Sequence, residues 1–243
     1  MHIFSGFILS LMLVCFATAE AGNGATFTML DRAAARAAEL DPLSRYAFTL
    51  ERRSRNNGAE AVTIRARFDP RWPKGEQWRL VDQDKEDASE ETLIELKALR
   101  KSEENDEALV YDKLNEMLVD VELTQETSET ATFIAPLNDD ELPPDVLEVE
   151  VTLNKIEGYV SRIAVRSVRE FKPVVIAKVK SLSQIQTYAA PVGDGPALLQ
   201  SSENAASGKA MFKKFDQHSY SVYSDIERID PAEIVESGEE QPL

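Results

Sequence analysis

The sequence predicts an α+β fold: a strongly curved, mostly antiparallel sheet, an unclosed half-barrel, with about three helices on its concave face. Three observations predict it. Alternating apolar segments flank Gly158 as a hairpin would, a second such pair flanks Asn56-Asn57-Gly58, and helical spacing is confined to an opening segment and an acidic insert. Long segments whose apolar parity changes midway imply bulged strands, and bulges make a sheet curl.

The hairpin around Gly158 carries the clearest signal. Leu147, Val149, Val151 and Leu153 alternate with Glu148, Glu150, Thr152 and Asn154, the period of a strand with one buried face. After Ile156-Glu157-Gly158 the alternation resumes, with Ile163 and Val165 against Arg162 and Arg166. If Lys155 faces Tyr159, then Val151 faces Ile163, Val149 faces Val165 and Glu148 faces Arg166. Apolar then meets apolar and opposite charges meet. The loop has three residues, with Gly158 last, where a left-handed conformation is wanted.

The remaining elements follow in chain order. Residues 1–21 have the outline of a secretion signal: Ile3–Phe16 is almost wholly apolar and leads into two overlapping A-x-A sites, so cleavage is expected after Ala19 or Ala21. The run is too short for a comfortable span of about 20 residues. The single cysteine, Cys15, lies inside it, so the mature chain has none, and no N-x-[ST] acceptor occurs. These features suit an exported bacterial envelope protein, periplasmic and soluble, with no transmembrane span after cleavage. Residues 22–230 are long enough for one domain with one core.

Thr26–Leu40 reads as an amphipathic helix, with Met29, Leu30, Ala33, Ala34, Ala37 and Leu40 recurring at three- and four-residue spacing, ended by Asp41-Pro42. Tyr46, Phe48 and Leu50 then alternate with Arg45, Thr49 and Glu51, as do Val62, Ile64, Ala66 and Phe68 with Thr63, Arg65 and Arg67. A two-residue Asn-Gly turn would oppose apolar to polar faces. A three-residue loop pairs Leu50 with Ile64, Phe48 with Ala66 and Tyr46 with Phe68. Glu76–Asp82 is a short strand presenting Trp78 and Leu80.

The acidic insert, residues 85–118, holds two expected helices, Glu90–Arg100 and Asp106–Leu118. Val119–Leu123 and Thr130–Ala135 read as a strand pair, and Pro136–Pro144 as an acidic loop. Beyond the Gly158 hairpin, Phe171–Ala190 is expected to bulge near Ser181 and Lys209–Ile229 to bend around Asp216–Ser219. Pro191–Ser207, rich in Gly, Ala and Ser, reads as an excursion, and the acidic tail 231–243 as disordered.

Charge narrows the function. A formal net charge of −16 argues against a nucleic-acid partner, since phosphate contacts demand a basic surface. Glu51–Lys74 carries seven bases against three acids, and Asp82–Glu107 eleven acids against four bases. These read as solvated faces of opposite sign, the basic one also suited to anionic head groups or an acidic partner.

Catalytic constellations are scarce. After the signal His218 is the only histidine, so no His-rich metal site can form, and without cysteine no soft-ligand site. There is no G-x-S-x-G elbow and no glycine-rich phosphate loop. Asp139-Asp140-Glu141 and Glu103-Glu104 lack a calcium-loop pattern. No cofactor, metal or catalytic residue is expected.

With its signal segment, opening helix, strands around Phe48–Phe68 and Trp78, Gly158 hairpin and ending Gly208–Ile229, the chain resembles the periplasmic lipoprotein carriers LolA and LolB. The ending is also similar to that of uncharacterised bacterial envelope proteins. The resemblance implies a curved sheet that shields a hydrophobic ligand, a lipid acyl chain or a lipoprotein, with no catalysis. The residues expected to line the cavity are Phe48, Phe68, Trp78, Leu80, Phe133, Val149, Val151, Ile163 and Val165. The alternative is an envelope protein–protein interaction module whose acidic helices and tail dock a basic partner.

Overall fold

The computed structural model describes residues 24–37, 46–81, 88–102, 111, 114, 118, 120–137, 142, 145–174, 176–193 and 195–234. The expected signal segment, with Ala19 and Ala21, lies outside them. A helix over 24–37, here α1, precedes β1 (Tyr46–Asn56), β2 (Val62–Phe68) and β3 (Trp78–Leu80). Helix α2 (Glu90–Ser102) follows, then β4 (Glu122–Glu126), β5 (Thr130–Leu137), β6 (Leu147–Asn154) and β7 (Tyr159–Ser167). The chain continues through β8 (Phe171–Val174), β9 (Ala177–Tyr188), β10 (Leu199–Ala210) and β11 (Lys213–Arg228) to a 3-10 turn, Pro231–Glu233.

All eleven strands join one sheet, in the order β3-β2-β1-β11-β10-β9-β7-β6-β5-β4, with β8 on β9. Every strand pairing among the described residues is antiparallel, and β3 and β4 end the path without meeting, so the sheet is unclosed. The first hairpin is carried to the last strand, β1 against β11, which makes the two halves of the chain one layer.

The expected pairs Val149–Val165, Val151–Ile163 and Glu148–Arg166 all form in the β6–β7 hairpin. The turn differs from the expectation. Asn154 rather than Lys155 faces Tyr159, because Ser161 is an extra residue in β7, so the loop has four residues. Gly158 takes a positive φ of 69°, and its N–H donates to the Asn154 carbonyl (2.9 Å). The bulge frees the Val160 amide, which donates to the Tyr111 hydroxyl (3.1 Å).

The β1–β2 pairing keeps the expected faces with a register two residues away: Phe48 meets Phe68, Leu50 meets Ala66 and Arg52 meets Ile64. Asn57 and Gly58, both at positive φ, form a tight turn closed by Ala59 N–H to Asn56 C=O (3.0 Å), and the connection continues to Val62. Asn-Gly thus makes its turn, while the apolar faces set the register.

The late strands depart further. Leu199–Ala210 is a full strand where an excursion is expected. Its partner β11 runs unbroken through Asp216–Ser219, the turn falling instead at Met211-Phe212. The bulge expected near Ser181 is present: Ser207 pairs with Ser181 and Gly208 with Val179. Of the tail, Pro231–Glu233 is ordered as a 3-10 turn against expectation, and 235–243 lie outside the described residues.

Two α-helices stand among the described residues where about three are expected. Most of Asp106–Leu118 is outside them, although Leu118 N–H donates to Leu114 C=O (3.1 Å), a helical bond. Helix α1 buries Leu30, Ala33, Ala34 and Ala37, and α2 buries Leu96 and Leu99. Both meet the same sheet face: Phe27 of α1 packs edge-on against Phe133 (5.2 Å), and Glu95 of α2 accepts a hydrogen bond from Ser54 (2.8 Å).

Two ion clusters fasten the ends of the layer. Thr26 of α1 and Lys155 of the β6–β7 loop both donate to Glu126 (2.7 and 2.6 Å), and Lys155 above all holds that carboxyl below its usual range. At the other end Arg71 grips buried Asp69 through Nε (2.9 Å) and a second guanidinium nitrogen (2.7 Å). Arg71 also reaches Glu233 (3.3 Å), which ties the 3-10 turn to the β2–β3 connection. No helix among the described residues is long and apolar enough to cross a membrane.

Candidate functional site

The registers lay out the helix-bearing face of the sheet row by row. One row runs Leu123, Phe133, Val151, Ile163, Gln186, Ser202, Ser221, Arg52, Ile64, from β4 across to β2. Another runs Ala135, Val149, Val165, Gln184, Asn204, Ser219, Ser54, Val62. In both, the flanks are apolar. Between the flanks, β9, β10, β11 and the Arg52–Ser54 part of β1 contribute only polar side chains to these rows.

This partition explains where the expected lining residues go. All nine lie on the helix-bearing face, in two groups separated by β9, β10 and β11. Phe48, Phe68 and Trp78 form an aromatic cluster with centroids 5.2–5.4 Å apart, with half-buried Leu80 beside them. Phe133, Val149, Val151, Ile163 and Val165 form the other group. Apart from Leu80, all are buried as one core with α1 and α2.

The open space on this face lies over the polar lane, beside α2. A cleft of about 280 Å³ is bounded by Arg52, Ser54, Glu95, Gln184, Asn204 and Ser219, among others. It shares Ser54, Asn56 and Glu95 with a neighbouring groove of about 660 Å³ between α2 and the β1–β2 end, where Val62 and Ile94 add apolar surface. Ile94 is 61% exposed on α2.

Hydrogen bonds tie the lane together and to α2. Arg52 Nε donates to Ser221 Oγ (3.1 Å), and Ser54 Oγ donates to Glu95 Oε1 (2.8 Å). Ser221 and Ser202 are buried, whereas Gln184 and Gln217 at the open end are exposed. Short hydroxyl side chains leave room above the strands, and the amides and Arg52 supply donors and acceptors in a row. The arrangement suits a neutral or weakly charged polar group, held by several modest hydrogen bonds.

Nothing in the lane forms a nucleophile–base pair of the serine–histidine type. His218 points to the opposite face, where its Nε2 meets Glu203 (3.0 Å) with both side chains partly exposed. Among the described residues no three of His, Cys, Asp and Glu converge as metal ligands.

The lane escapes a reading based on apolar alternation, because Ser, Gln and Asn mark no face. One signal was present: Gln184 and Gln186, Ser202 and Asn204, and Ser219 and Ser221 each repeat at a spacing of two. Compared with known family models the chain matches none, and no curated protein matches it.

Proposed function

We propose that the chain is a non-catalytic, periplasmic protein of the bacterial envelope, a LolA/LolB-like half-barrel that holds a hydrophobic or amphipathic ligand. In this reading the sheet curves around its helices, and the ligand lies between α2 and the strands. A polar group of the ligand is met by Arg52, Gln184 and Asn204, and an acyl chain lies toward Leu182, Val62 and Ile94.

The observation that carries the reading is the mixed helix-bearing face, with apolar flanks meeting a polar lane at an open cleft. Ligand sites pair predominantly apolar walls with a few placed polar groups that fix orientation. The aromatic cluster below α2 adds apolar surface that a displaced helix would uncover.

Native mass spectrometry of protein purified from its host tests this. The expected result is a co-purifying acyl-bearing molecule whose occupancy falls when Arg52→Ala and Gln184→Ala are combined. Empty protein in stoichiometric complex with another protein would instead support the alternative, an interaction module docking through its acidic helices and tail.

A further inference from the structure

The far end of the sheet carries an apolar apex in a basic collar. β10 and β11 pair as far as Ala210–Lys213, leaving Met211 and Phe212 as a two-residue turn. Their φ angles are +48° and +67°. Two central residues at positive φ mark the turn for which Asn-Gly is the favoured pair, and bulky side chains adopt it at a conformational cost. The chain nevertheless places a methionine and a phenylalanine there. Phe212 is 104% exposed and Met211 69%.

The neighbouring turn repeats the pattern. Met211 N–H donates to the Ile176 carbonyl (3.0 Å), so the β8–β9 turn lies beside the tip. Val174 and Ile176 on it are also exposed. Around both turns stand six exposed lysines: Lys172, Lys178, Lys180, Lys209, Lys213 and Lys214. The acids nearby are Glu170, paired with Lys178, and Asp216. A local excess of four positive charges therefore sits on a chain whose formal net charge is −16.

We propose that this end of the sheet docks on an anionic lipid surface, Phe212, Met211 and Ile176 entering the interface and the lysines facing the head groups. An apolar tip ringed by lysine matches both layers of a membrane surface, the acyl boundary and the negative head groups above it. The side chains at the tip are the ones that the turn itself disfavours, so their worth lies in what they touch. The inference stands apart from the ligand reading, because the tip is not part of the polar lane.

Vesicle flotation tests it with the whole protein. Wild type is expected to float with phosphatidylglycerol-containing vesicles at low salt, to bind purely phosphatidylcholine vesicles at least tenfold more weakly, and to be released by added salt, which screens the lysines. The double variant Met211→Asn with Phe212→Gly installs the favoured turn, so it is expected to melt no lower than wild type while losing at least tenfold in partitioning. Lys209→Gln, Lys213→Gln and Lys214→Gln together are expected to remove most of the salt dependence. Failure of wild type to bind anionic vesicles, equal binding to neutral ones, or unchanged flotation of the double variant would overturn the proposal.

Discussion

The flanks of the helix-bearing face and its centre are built on opposite plans. At β1–β3 and β5–β7 the inward residues are Phe48, Phe68, Trp78, Phe133, Val149 and Val151, all buried. In the two rows across β9, β10 and β11 the same face presents Gln184, Gln186, Asn204, Ser202, Ser219 and Ser221, with buried Tyr188, Leu199 and Tyr223 beyond them. The flanks hold helices by removing apolar area from water. The polar rows of the centre are held through the backbone ladder and leave a cleft. Apolar burial thus fixes the molecule at its two flanks and, through Tyr188, Leu199 and Tyr223, at one end of the central strands, and the polar lane lies beside these contacts.

The largest expected effect breaks a flank. Phe48 is 2% exposed and touches Phe68, Trp78 and Tyr223. Phe48→Ala is expected to destabilise by about 3–5 kcal/mol, transfer and cavity costs together. Chemical denaturation reads this directly. A loss below about 1.5 kcal/mol would mean that the aromatic cluster is not core, and the contrast with the lane would fall.

A smaller effect is expected where the flank meets the chain's end. Arg71 holds the carboxyl of Asp69 below the usual range, first by its side-chain hydrogen bonds. A depressed folded pKa contributes stability that is present above the unfolded value, near pH 4, and is lost as pH falls through the folded value. Asp69→Asn is therefore expected to cost about 1–2 kcal/mol at neutral pH. The gap from wild type should close as acid protonates Asp69. Denaturation midpoints measured from pH 7 downward check this, and a gap constant through pH 3 would remove Arg71 as the cause.

How far the fold is legible in the sequence follows the same division. Where apolar alternation is strong, as in Leu147–Leu153 with Ile163 and Val165, the faces and partners are readable to the residue. The turn beyond them is not, because a bulge at Ser161 adds a residue without disturbing the pattern before it. At the first hairpin the alternation decides which face is buried but is blind to a shift of two, which preserves every face. Leu199–Ala210 is the weakest case. A strand made of Ser, Asn, Ala and Gly is stabilised by the ladders on both sides of it, and its own side chains announce nothing. The expected lining residues belong to the strongly patterned flanks, so sequence finds the core and misses the cleft beside it.

The smallest expected effect sharpens the comparison most. Gln184 is exposed, yet it lies in register between Asn204 and Val165, on the seam where polar centre meets apolar flank. Replacing it by valine gives the strand a residue of higher β-propensity and leaves no buried polar partner unsatisfied. Gln184→Val is therefore expected to change stability by no more than about 0.5 kcal/mol in either direction. If the same variant also loses the co-purifying molecule, the glutamine serves the cleft rather than the fold. A destabilisation above about 1.5 kcal/mol would place Gln184 in a packed and satisfied network, and the lane would then be core by another chemistry.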